Sequence, residues 1–237
     1  MENSLTRSSV RGLADKPGFP PGLGFGKVLR PEFYRRSTLR VAPALLGKVL
    51  VVRDESGAVT AGRIVETEAY RGDDPASHSA RGKTPRASVM FGEPGVAYVY
   101  FIYGMYEMLN FVTEPEGRAG AVLIRALEPC RGADRMRWRR PSVRNDVELA
   151  SGPGKLCRAL GIRMSDNGQG LAGPRLAVFD DGTSIEPARI RVTPRVGITA
   201  AKENLWRFYL DGNPCVSRAP QNKVGTFLAR KVGGAFP

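Results

Sequence analysis

Two glutamates and a tyrosine alternate along GRIVETEAYRGDDPASH (62–78), and the segment ends on His78, the only histidine in the chain. If Val65–Tyr70 is a strand, successive side chains point to opposite faces. Glu66, Glu68 and Tyr70 then share one face, and Val65, Thr67 and Ala69 share the other. A face with two carboxylates, a phenol and a nearby imidazole is a candidate active-site floor for general acid–base chemistry. The competing reading is a strand with a solvated acidic face.

The elements that must position these residues follow from the local pattern. PEFYRRSTLRVAPALLG (31–47) reads as a short helix and then a second, with Ser37 or Thr38 as N-cap and Gly47 as the stop. Lys48–Asp54 is a strand, Glu55-Ser56-Gly57 a turn, and Val59–Ala69 the return arm of a hairpin. Arg71–Val89 is a long loop of Gly, Pro, Asp, Ser and Arg, and loops of that length are functional or disordered. Gly95–Ile102 and Glu107–Thr113 form a second hairpin, with Tyr98 and Tyr100 on one face and Tyr103 at the tip. Tyr103 reads either as a wedge for a base stack or as a ring packed back over the hairpin. Ala121–Glu128 is an apolar strand interrupted by Arg125, which needs a carboxylate partner such as Glu68 or Glu66, or an ion pair elsewhere. Cys130–Arg140 holds a basic helix. Ser151–Leu160 is a Gly/Pro turn opening a helix, whose free N–H groups and Lys155 suit a phosphate or serve simple capping. Its glycines do not match the nucleotide-binding P-loop. Arg175–Phe179 and Ile190–Val192 are strands, and Asn204–Leu210 is an aromatic core segment.

The chain of 237 residues fits one large domain or two small ones, and 42% hydrophobic residues suffice for a core. No apolar run is long enough for a membrane span, and the first residues lack a secretory h-region. Three cysteines without CxxC spacing and one histidine exclude an ordinary zinc site and point to reduced thiols in a cytosol. The formal charge of +13, from 36 Lys and Arg against 23 acids, suits a polyanionic partner, nucleic acid above all. Residues 1–28 read as a disordered basic tail, 29–217 as the folded domain, and 218–237 as a loose basic tail.

Several of these segments together, GRIVETEAY, DPASHS, TPR followed by MF, YVYFIYGMY, LN at 109–110, LIRALEP, SGPGKLC and RVG, resemble the alkyladenine (3-methyladenine) DNA glycosylases over about Phe33 to Ser217. The resemblance implies a single α+β domain, a curved, mainly antiparallel sheet surrounded by helices, with a protruding β-hairpin. It implies a monofunctional enzyme that flips alkylated or deaminated purines from duplex DNA and hydrolyses the N-glycosidic bond, as a monomer, without metal or cofactor. Glu68 looks like the general base that activates water, and Arg125 like the arginine that holds it. Tyr70 and His78 are similar to one side of the base pocket and Tyr100 to the other, with Asn110 disfavouring normal guanine. Tyr103 resembles the intercalating residue, and the Val196 carbonyl is similar to one that holds the water. Arg81, Lys83, Arg86 and Lys155 are expected at DNA phosphates. The stretch from His78 to Met90 is one residue shorter than the family's usual spacing, so Ala80–Lys83 receives no role beyond phosphate contact.

That chemistry suits these residue types. Base extrusion costs a few kcal/mol, less for a damaged pair, and aromatic stacking returns about 1–3 kcal/mol per base. A cationic alkylated purine gains a cation–π contribution on tyrosine faces and is a better leaving group. Two rivals remain at this level. A carbohydrate hydrolase would use Glu66 and Glu68, about 6.6 Å apart along a strand, as its carboxylate pair. A non-catalytic binder of bent or damaged DNA would use only the Tyr103 hairpin and the basic surface.

Overall fold

The computed structural model describes residues 24–102 and 104–228. Ten strands form one sheet, antiparallel at every pairing: β1 (Lys27–Val28), β2 (Val49–Arg53), β3 (Val59–Arg71), β4 (Ala97–Ile102), β5 (Tyr106–Val112), β6 (Gly120–Arg131), β7 (Leu176–Asp180), β8 (Ile190–Thr193), β9 (Arg207–Leu210) and β10 (Thr226–Phe227). Among the described residues four α-helices accompany it: α1 (Pro31–Tyr34), α2 (Thr38–Ala44), α3 (Ala133–Arg139) and α4 (Pro153–Leu160). This is the single-domain α+β architecture expected from the sequence.

The main path of the sheet runs β1-β7-β2-β3-β6-β5-β4. β3 is the branch point. Its first half pairs with β2 and its second half, Glu66 to Glu68, with β9, while β6 follows it along the other edge. A 13-residue strand can serve two neighbours in turn because it is longer than either of them. The β3–β6 register slips between Ile64 and Thr67, so that Arg125 falls between the residues paired with Glu66 and Thr67. Such bulges re-aim side chains. Here the slip brings one guanidinium to two carboxylates.

Alternation then divides the sheet into two faces. Ala69, Val122, Ile124, Leu109, Phe111, Ala97 and Val99 belong to the main core, together with apolar residues of α2 and α4. Burying each large side chain contributes about 1.5–3 kcal/mol. Thr67, on this face, donates its hydroxyl to the Ala42 carbonyl at the end of α2 (2.9 Å). The other face carries Glu68, Tyr70, Leu123, Asn110, Met108, Tyr98 and Tyr100.

α2 begins after Ser37, as its position suggested, but the Ser37 side chain makes no capping bond. Glu114 caps the helix instead, its Oε1 accepting from Thr38 N–H (2.7 Å) and Thr38 Oγ1 (2.8 Å). Glu114 holds a left-handed φ of 67°, unfavourable for a side chain with a Cβ. Gly120 makes the approach possible, since a Cβ there would lie 2.4 Å from Thr38 Oγ1 and 2.6 Å from Glu114 Cγ.

Both expected tails give ground to the fold. Residues 1–23 and 229–237 lie outside the described residues. Lys27–Val28, however, pairs with β7, and Phe25 packs near Phe179 with ring centroids 6.0 Å apart. At the other end β10 pairs with β8, and Asn222 Oδ1 accepts from Arg207 (2.8 Å). Gly/Pro clusters and scattered basic residues carry no periodicity, so neither two-residue edge strand shows in the sequence.

Candidate active site

Glu68 lies in the second half of β3 and is fully buried. Its carboxylate is held by three donors. Oε2 accepts from the Tyr70 hydroxyl (2.9 Å) and from Arg125 Nη1 (3.2 Å), and Oε1 accepts from the backbone N–H of Val196 (2.7 Å). A carboxylate offers about four acceptor positions, so room for one further donor, such as water, remains. Val196 therefore meets Glu68 through its amide, whereas the expectation concerned its carbonyl.

Glu66 is equally buried but is enclosed by protein. Oε1 accepts from Arg125 Nε (3.0 Å), Arg207 Nε (2.7 Å) and Ser217 Oγ (2.8 Å), and Oε2 accepts from Ser217 N–H (2.8 Å). Burial pushes its carboxyl up, but Arg125, Arg207 and the Ser217 amide outweigh burial and hold it below the usual carboxylate range. The solvated-face reading of the two glutamates is thus excluded. Neither glutamate lines the cavity itself, but all three partners of Glu68 do, whereas of the partners of Glu66 only Arg125 does. A carbohydrate hydrolase pairing Glu66 with Glu68 across a substrate does not fit this arrangement.

Arg125 bridges the two carboxylates, as its place in an apolar strand required. Burial disfavours its charge, but Glu68 and Glu66 more than restore it, and its pKa lies above the ordinary arginine value. Tyr70 moves upward as well, through burial first and the Glu68 charge second, so it keeps its proton and donates to Glu68.

Above this floor opens a cavity of about 410 Å³. Its walls come from β3, β4, β5, β6, the 75–78 loop and the 196–199 loop. His78 and Tyr100 meet edge to face, ring centroids 4.5 Å apart at 78°. His78 Nδ1 lies 2.8 Å from the Tyr98 hydroxyl. Burial first, and the Arg86 charge second, lower the His78 pKa, which favours a neutral imidazole. Asn110 is buried on the same face, its Nδ2 donating to the Tyr98 carbonyl (3.2 Å). Tyr70, His78, Tyr100, Asn110, Arg125 and Val196 thus border one cavity.

The expected phosphate contacts are dispersed. Arg81 and Lys83 are exposed on and beside the short 3-10 helix His78–Arg81. Arg86 reaches the Phe101 carbonyl (3.4 Å) and lies 5.0 Å over the Tyr100 ring, at the cavity rim. Lys155, exposed in the first turn of α4, lines an adjoining groove with Arg125, Ser217 and Arg218. Tyr103 lies outside the described residues. Among the described residues near it, Phe101, Met105 and Tyr106 are exposed to solvent.

Four residues escaped the sequence reading. Arg207 closes Glu66 from behind. Ser217 completes that cage, Arg195 stacks against Tyr70 (4.6 Å), and Asp74 pairs with Arg195. The usable signal was an arginine inside the aromatic run NLWRFYL, the same anomaly that singled out Arg125.

Comparison with known proteins agrees with this geometry. Residues 32–214 match the family described as Methylpurine-DNA glycosylase (MPG). A protein of Methanoculleus marisnigri is 52% identical over 192 residues, covering 80% of this chain and 98% of its own. One of Methanocella arvoryzae is 50% identical over 81% of this chain and 98% of its own, and one of Prosthecochloris aestuarii 49% over 82% and 92%. All three carry 3-methyladenine DNA glycosylase in their names. With the match spanning most of the folded residues, the chain belongs to the methylpurine-DNA glycosylase family and is a DNA glycosylase.

Proposed function

We propose that the protein extrudes alkylated or deaminated purines from duplex DNA and hydrolyses the N-glycosidic bond with Glu68 as general base, the first step of base excision repair. The observation that carries this reading is the Glu68 carboxylate itself: fully buried and fixed by Tyr70, Arg125 and Val196, all three of which line the aromatic cavity.

In this reading the damaged base enters the cavity between Tyr70 and the His78–Tyr100 pair. Tyr103, which the sequence sets between β4 and β5, fills the gap left in the duplex. Glu68 takes a proton from a water as that water attacks C1′ of the sugar, and the carboxylate offsets the oxocarbenium charge that builds there. Arg125 holds Glu68 in place. Arg86 places its charge near Tyr98. The Tyr98 proton is free to point at His78 Nδ1, which leaves the imidazole N–H on Nε2 as a donor to the base. Asn110, tied to the Tyr98 carbonyl, occupies the wall against which normal guanine is rejected.

Among the described residues none that lines the cavity is a lysine, which leaves a Schiff base with the sugar without a lysine nucleophile among them. We read the enzyme as monofunctional, and as a monomer that acts on double-stranded DNA in the cytoplasm, close to the nucleoid. Arg81, Lys83, Arg86 and Lys155 supply phosphate contacts. Borohydride treatment during turnover tests the mechanism. A trapped protein–DNA adduct would contradict it, and free base with an intact abasic strand supports it. A damaged-DNA binder without catalysis gives no reason for the Glu68 arrangement and releases no base.

A further inference from the structure

Arg195 is fully buried, yet it does not line the cavity that Tyr70 borders. Its guanidinium lies 4.6 Å from the Tyr70 ring centroid and 5.0 Å from that of Trp206, so it packs on both rings while staying out of the cavity lining. Asp74, also buried, binds it through both oxygens: Oδ1 accepts from Nη2 at 3.0 Å and Oδ2 from Nη1. Nη1 also donates to the Ala69 carbonyl (2.9 Å). Nε is buried without a hydrogen-bond acceptor.

We propose that the Asp74–Arg195 pair is a specificity-determining element that sets how strongly Tyr70 favours cationic over neutral damaged bases. The inference rests on Tyr70 being a stacking wall of the base pocket. A base stacked on the cavity side of the ring would lie about 8 Å from the guanidinium. A lone cation there would repel N-alkylated purines, which are cationic, and would leave neutral ones such as hypoxanthine almost untouched. The Asp74 carboxylate cancels that field, so the wall admits both classes. With an effective dielectric of about 20, removing either charge changes preference for a cationic base on the order of tenfold, in opposite directions.

The test measures single-turnover release of 7-methylguanine and of hypoxanthine from otherwise identical duplexes, for wild type, Asp74→Asn, Arg195→Gln and the double variant. The rate ratio cancels differences in folded fraction. Asp74→Asn should shift it about tenfold towards hypoxanthine and Arg195→Gln about tenfold towards 7-methylguanine. The double variant should return to near the wild-type ratio. Should wild type release only 7-methylguanine, that single rate must fall in the first variant relative to the second. Equal losses on both substrates, or shifts of one sign in both variants, would reduce the pair to structural support and overturn the inference while leaving the glycosylase reading intact. A wild type that releases neither base would overturn both.

Discussion

Replacing Glu66 by glutamine separates the structural carboxylate from the chemical one. Glu66 holds Arg125, Arg207 and Ser217 together with no exposed surface. The substitution preserves shape but removes the charge shared by two buried guanidinium groups. Breaking a buried pair in this way costs about 3–5 kcal/mol, which in a domain of this size lowers Tm by roughly 6–20 °C. Because the folded state holds the Glu66 carboxyl below its usual range, its contribution is complete above the unfolded pKa and is lost as pH falls through the folded one. The stability gap between wild type and Glu66→Gln should therefore be constant near neutrality and narrow below about pH 4.5. Arg125 keeps its bond to Glu68, so base release per folded molecule should stay within about tenfold of wild type. Thermal melts across pH and single-turnover release on the same preparations check both halves. An unchanged Tm would refute the electrostatic reasoning. A folded but inactive Glu66→Gln would mean that Glu66 takes part in the chemistry.

Gly120→Ala should destabilise the fold by more than about 3 kcal/mol, because a Cβ meets both Thr38 and Glu114 and breaks the cap of α2. Urea titration measures it, and a loss below about 1 kcal/mol would show that the cap yields freely. Tyr100→Leu removes one aromatic wall while leaving Glu68 in place. It should lower kcat/KM per folded molecule roughly 5- to 150-fold, the worth of one base–aromatic stack. An unaffected kcat/KM would remove Tyr100 from the pocket.

How much of this was legible in the sequence follows from the range over which each interaction acts. Alternation is local, and it correctly grouped Glu66, Glu68 and Tyr70. The need of a buried arginine for a partner is a general rule, and it linked Arg125 to the same face. The bulge that brings Arg125 to both glutamates left no trace, because a register slip is a property of two paired strands. Arg207 and Ser217 meet Glu66 across 141 and 151 positions of chain, and Arg195 meets Asp74 across 121. No local pattern encodes those pairings. The Val196 amide was invisible for a simpler reason: any residue except proline offers one. The edge strands Lys27–Val28 and Thr226–Phe227 exist only because β7 and β8 have open sides, and two residues are too few for a period.

The most direct test of the central claim compares wild type with Glu68→Gln for release of hypoxanthine and of methylated purines from duplex DNA, in EDTA, after both proteins are shown to bind the duplex. The account predicts release by wild type and a loss of at least a thousandfold in the variant, with binding retained. A Glu68→Gln enzyme that releases base at near the wild-type rate would contradict it.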